Sequence, residues 1–331
     1  PGLVDIGIVF LIFLIFATLA NVVDYSGEFP LNDDWGFSTP LYWYSKGEGV
    51  HVTYWQSMPY LTQLGIGIAW VELVGFSYES LRSLTLFQAA LTISLAYGVA
   101  RTAGLSRVVS LLLPLAVAAS PVFLGLSFSF MSDISGAAFS VAACFFLALS
   151  MKAGPRVYIW YAVGGLFLLC AVAIRQNSLS IGIALFLTHI LFFRQKGSRP
   201  FSALFLVAAG ALTYAATVPF MRATIGLPGD YGLETLKMMA LLKDIGELKI
   251  GAFRPAVKSF LHLYAGAGVL LLPIAPLLVA RRYNNMKAMW AILPLALATT
   301  AAALLLDQGV LNSLNGDILS SVGIGPRLIR G

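Results

Sequence analysis

The chain has 331 residues, of which 59% are hydrophobic and 11% charged, with a mean hydropathy of +0.85 and a formal net charge of +6. A soluble globular domain carries about 25% charged residues, so this composition excludes one and places the chain in a bilayer. The positive charge is spread over short loops rather than gathered with aromatics into a patch, which argues against a nucleic-acid partner and for contact with anionic lipid headgroups.

Nine charge-free, predominantly apolar runs of 18 residues or more follow one another: 6–23, 83–100, 108–132, 134–151, 157–174, 176–193, 200–221, 259–280 and 288–306. Each is long enough to cross a hydrocarbon core of roughly 30 Å as a helix. A tenth run, 49–71, is cut by His51, Thr53, Gln56, Pro59, Thr62 and Gln63 and reads as a surface or juxtamembrane segment. The expected fold is therefore an all-α polytopic membrane protein of about nine transmembrane helices, forming one transmembrane domain over 1–331.

Loop charge sets the expected orientation. Loops of one parity hold Arg101 and Arg107, then Lys152 and Arg156, then Arg194, Lys196 and Arg199, then Arg281, Arg282 and Lys287, with no acid among them. The other parity holds every acid except Asp5. The positive-inside rule makes the first set cytoplasmic, with the amino terminus inside and 307–331 outside. The first span has no basic leader and exceeds a usual signal-peptide core, so it reads as a retained span. Because the chain starts at Pro1 and stops in a loop just after a span, it is expected to be a fragment, truncated at the carboxyl end.

The outer loops are unequal. The first, 24–82, is the longest and holds Tyr25, Trp35, Tyr42, Trp43, Tyr44, Tyr54, Trp55 and Tyr60, an aromatic density typical of the membrane–water interface. Within it, Leu61–Phe76 is expected to form a helix lying along or dipping into the membrane. The outer loop 222–258 carries Leu233, Leu236, Met239, Leu241, Leu242, Ile245 and Leu248 at helix-like intervals, with Glu234, Lys237, Asp244 and Glu247 between them, which predicts an interfacial amphipathic helix.

Cys144 and Cys170 fall inside spans and read as buried hydrophobes, and neither a disulfide framework nor zinc-ligand spacing can be built from them. His51, His189 and His262 are scattered, with His189 read as a packing residue. The chemistry is expected instead at charged clusters on the outer ends of spans: Asp33-Asp34, Asp133, Arg175, and the late loop with Asp307, Asp317 and Arg327. Asp33 and Asp34 suit a helix cap or turn as well as a general base. Asp133 and Arg175 stand abruptly between apolar runs, where they would either pair with each other to mark a turn or serve a substrate. A carboxylate near an arginine at a lipid surface supplies a base on one side and a phosphate clamp on the other.

Four places in the first 200 residues resemble the membrane glycosyltransferases of the GT-C fold, nearest to the bacterial relatives of protein mannosyltransferases and aminoarabinose transferases. They are Asn32-Asp33-Asp34-Trp35; Met58-Pro59-Tyr60 with Val74-Gly75-Phe76-Ser77 and Ser80-Leu81-Arg82; Ser129-Phe130-Met131-Ser132-Asp133; and Ala173-Ile174-Arg175-Gln176. The resemblance implies a GT-C-like domain with juxtamembrane helices in the first outer loop. Asp33 would be the catalytic base, with Asp34 the neighbouring alternative; Asp133 would be a second outer acid, and Arg175 with Gln176 would meet the donor phosphate. The implied partners are a polyprenyl-phosphate sugar donor and a glycan, lipid or protein acceptor, met at the outer face of a bacterial inner membrane. Where a cation is used, Asp33 and Asp133 would hold Mg²⁺ or Mn²⁺. The chain departs from the family in having Ile134 and Ser135 after Asp133 where relatives often have a proline, and a full-length member usually has more spans or a soluble outer domain after them.

Two other classes use the same features. A transporter or flippase of lipid-linked saccharides also has many spans, but usually carries polar or broken-helix sites at the midplane and internal repeats. A non-catalytic assembly subunit would use the long first loop as a docking surface.

Overall fold

The computed structural model describes residues 2–23, 25–31, 33–53, 58–150, 157–183 and 200–225. The chain divides into two units, Pro1–Thr235 and Leu236–Gly331, and all the described residues belong to the first. The expected spans at 259–280 and 288–306, most of 176–193, the outer loop 222–258 beyond the helix end at Ile225, the late acidic loop, His189 and His262 lie outside them.

Every regular element among the described residues is helical: α1 Leu3–Val22, α2 Asp34–Ser45, α3 Leu61–Val74, α4 Tyr78–Thr102, α5 Arg107–Ala118, α6 Pro121–Ser127, α7 Ser132–Ser150, α8 Val157–Val172, a 3-10 turn at Gln176–Ser178, and α9 Pro200–Ile225. Three of them, α1, α4 and α7, are long and apolar enough to cross a membrane. Among the described residues, the stretch 24–82 expected as the first outer loop holds α2 and α3 ahead of α4.

α4 is the helix around which the others assemble. Ser77 caps its start, accepting a hydrogen bond from the Ser80 amide at 2.9 Å, while Glu79 in the first turn and Arg101 in the last complement the helix dipole. Most of its side chains are buried. α1 packs Ile12 and Phe16 against Ile93 and its neighbours on α4, yet leaves Leu3, Ile6, Phe10, Leu11 and Leu14 exposed. An apolar surface of that extent is stable only against lipid or another protein. α7 lies between α4 and α8, and the contacts are close because glycines meet side chains: Gly98 of α4 faces the Phe145 ring, and Gly164 of α8 faces Leu147.

Charge joins one end of this bundle. The Asp5 carboxylate accepts from Tyr97 Oη at 2.7 Å, Arg101 Nε at 3.2 Å and Arg107 Nε at 3.4 Å, tying the starts of α1 and α5 to the end of α4. Asp5 is the acid that breaks the charge parity of the loops, and its partners are the arginines of the first basic loop.

Two apolar runs differ from the helices they become. The run 108–132 is not one helix: it breaks at Ala119–Ser120 into α5 and α6, and Ser120 is extended with φ −64° and ψ 127°. Pro121 accounts for the break, since it removes an amide and disfavours helix at the residue before it. The apolar runs leave Asp133 alone between two spans, but Ser132 and Asp133 both belong to the first turn of α7, and the turn is Phe128–Met131.

Candidate functional site

The end of the bundle opposite Asp5 gathers the residues singled out from sequence. Asp33 is the N-cap of α2, half-buried, and makes no side-chain cap hydrogen bond. Asp34, the first residue of the helix, is 0% exposed. The inner face of α2 then buries Phe37 and Leu41, one turn apart, in a cluster with Tyr60, Leu64, Leu81, Leu84 and Phe130. Pro40 inside α2 has no amide for the Gly36 carbonyl, and Thr53 supplies the missing donor through Oγ1 at 3.2 Å. Asn32, quoted in the motif, lies outside the described residues.

The Asp34 carboxylate faces Arg82 of α4, whose Nε stands 3.8 Å from Oδ2, too far for a hydrogen bond. The Leu31 and Phe130 amides approach the carboxylate without completing a well-aligned hydrogen bond. Burial raises the Asp34 pKa from 3.8 to about 6, and the Arg82 charge is the main influence holding it down. Sequence alone puts Arg82 at the end of the first loop without a role; the structure makes it the partner of Asp34. The available signal was a cation at the mouth of a long apolar run, a position where a charge needs a partner.

A second pair stands on the neighbouring turn. Arg175 Nη1 meets Asp133 Oδ1 in a direct ion pair, with the two side chains 25% and 35% exposed. The aliphatic stem of Arg175 lies over Gly136 of α7, where a Cβ would come within 3.3 Å of its Cδ. The pairing expected as one reading of these two residues is thus present. The guanidinium still has donors and surface to offer a ligand. Gln176, next along the chain, has its Oε1 buried without a hydrogen-bond partner.

Tyr60 links the two regions. Its amide donates to the Ile174 carbonyl at 3.1 Å, its hydroxyl donates to the Phe37 carbonyl, and its ring lies 5.4 Å from that of Phe37. With φ +60° it is a bulky residue in the left-handed region, a conformation that persists only where surroundings hold it. Beside it, Ser132 Oγ contacts Met58 Sδ at 2.7 Å. The quoted segments 58–60, 129–133 and 173–176 therefore meet in space, and Asp34 joins them through Phe130. Gln63 of α3, which in the sequence only interrupts an apolar run, is buried with neither amide atom hydrogen-bonded.

Among the described residues, no three His, Cys, Asp or Glu side chains come together as a metal site. Of the two residues named for a cation, Asp133 pairs with Arg175, and Asp33 stands at the start of α2. Cys144 and Cys170 are partly buried free thiols. No protein-family model matches the chain, and no curated protein matches it.

Proposed function

We propose that this chain is an inverting glycosyltransferase that moves a sugar from a polyprenyl-phosphate donor to an acceptor at the outer face of a bacterial inner membrane. The observation that carries the reading is a half-buried aspartate, Asp33, at the same end of the bundle as an arginine, Arg175, that keeps part of its side chain exposed. Asp33 is the base rather than Asp34, because Asp34 is sealed from any acceptor and bound up with Arg82.

In this mechanism Asp33 takes the proton from an acceptor hydroxyl or amine as that atom attacks the anomeric carbon. The bond between the anomeric carbon and the phosphate oxygen breaks, and its electron pair leaves with the lipid phosphate. Arg175 neutralises the charge that grows on that phosphate, an interaction stronger in the transition state than before it. Asp133 orients Arg175.

The test is transfer from labelled polyprenyl-phosphate sugars in membranes holding the full-length protein. Asp33→Asn should lower turnover about 10²–10⁴-fold, the range for a positioned general base, at unchanged expression. Wild-type turnover by Asp33→Asn would refute the assignment. Absence of transfer by the wild type, with lipid-linked sugar crossing reconstituted vesicles, would identify a flippase instead.

A further inference from the structure

Arg82 lies near the start of α4, a helix apolar enough to cross a bilayer, and it is 1% exposed. A buried guanidinium is stable only where its donors are met. Nη1 donates to the carbonyls of Tyr25 at 2.9 Å and Gly27 at 3.0 Å, and Nη2 donates to that of Phe29. The guanidinium carbon lies 5.7 Å from the centre of the Phe29 ring and 5.6 Å from that of Tyr78. Nε faces Asp34. All but Tyr78 belong to the stretch of chain that leaves α1 and enters α2.

We propose that Arg82 is the positioning residue for Asp33, an inference that rests on Asp33 being the acceptor base. Three alternate carbonyls turned onto one planar fork fix the path of residues 25–29. The Asp34 pair fixes the first residue of α2. Asp33 lies between these two anchors and has no side-chain cap bond of its own, so its carboxylate is aimed by the backbone that Arg82 holds. The segment needs such an anchor because its own side chains do not bury it: Ser26, Glu28, Phe29 and Pro30 are exposed. A lysine would keep the charge but not the fork, since its ammonium is a point charge without planar donors.

The experiment reads position and turnover separately. Position is read as the modification rate of Asp33→Cys by a charged thiol reagent, in a background with Cys144 and Cys170 replaced by serine. Arg82→Lys should change that rate severalfold. In the cysteine-intact chain it should lower kcat about 10²-fold, the cost of misplacing a reacting group by about 1 Å, with KM unchanged. Gly27→Ala, at φ +120°, would drive a methyl into the Phe29 ring and displace the same clamp from the exposed side. It should produce both changes and carries the test if Arg82→Lys fails to fold. A lower thermal midpoint with an unchanged modification rate of the Asp33→Cys thiol and unchanged kcat, in whichever variant folds, would make Arg82 merely structural and overturn the proposal. If the wild type transfers no sugar but that modification rate still follows Arg82, the positioning role stands and the enzyme reading falls.

Discussion

Asp34 is a carboxylate whose charge is opposed by its surroundings more than it is supported by them. Its pKa in the fold is about 6, above the ordinary value of 3.8. Between those values the folded chain keeps a proton that the unfolded chain has released. Stability from this group is therefore greatest below about pH 4, falls as pH rises to about 6, and is constant above that. Asp34→Asn removes the titration. The difference in unfolding midpoint between variant and wild type should move in the variant's favour from pH 4 to pH 6 and then stay level. A difference that is flat across that interval would mean that Asp34 titrates normally. At this scale the sequence displayed the acidic doublet but not the division of labour within it. Two adjacent aspartates are chemically alike on paper. They separate because the first helical residue, Asp34, is buried against Arg82, while the N-cap before it, Asp33, is only half-buried.

Helices pack here by letting backbones approach, and glycine decides where. A Cβ on Gly164 would sit 2.6 Å from Leu147 Cγ and 2.9 Å from the Leu147 backbone nitrogen, which belongs to a rigid helix and cannot give way. Gly164→Ala should thus separate α7 from α8 and cost about 1–3 kcal/mol by overpacking. Gly7→Ala on α1, where nothing lies within 4 Å, is the control and should leave the unfolding midpoint unchanged or raised. Equal midpoints for the two variants would show that the α7–α8 contact is looser than described. The apolar runs disclosed most of these helices but clipped their ends. A window that stops at charge begins α1 after Asp5 and α4 after Arg82, although both residues are helical. A charge at a helix end is compatible with the membrane interface when partners from other helices neutralise it, and those partners are distant in sequence: Arg101 and Arg107 for Asp5, Asp34 for Arg82. The same reading runs through Ser120-Pro121, because hydropathy does not register a missing amide.

Taken whole, the described bundle sorts its charge into two ends. Asp5 gathers Arg101 and Arg107 at one, and Asp34 with Arg82 and Asp133 with Arg175 mark the other. A helix long enough to span a membrane forces those ends onto opposite surfaces. Loop charge predicts the Arg101 end in the cytoplasm, and the proposed transferase requires the Asp33 end outside. One labelling experiment checks both demands together. Glu48 follows α2 and Ala103 follows α4, and both are exposed. With Cys144 and Cys170 replaced by serine, Glu48→Cys should react with a membrane-impermeant thiol reagent in cells whose outer barrier is open but whose inner membrane is intact. Ala103→Cys should react only after that membrane is broken. The opposite pattern would put Asp33 in the cytoplasm, where the acceptor chemistry proposed for it would have to be abandoned. Labelling of both from one side would mean that α4 does not cross.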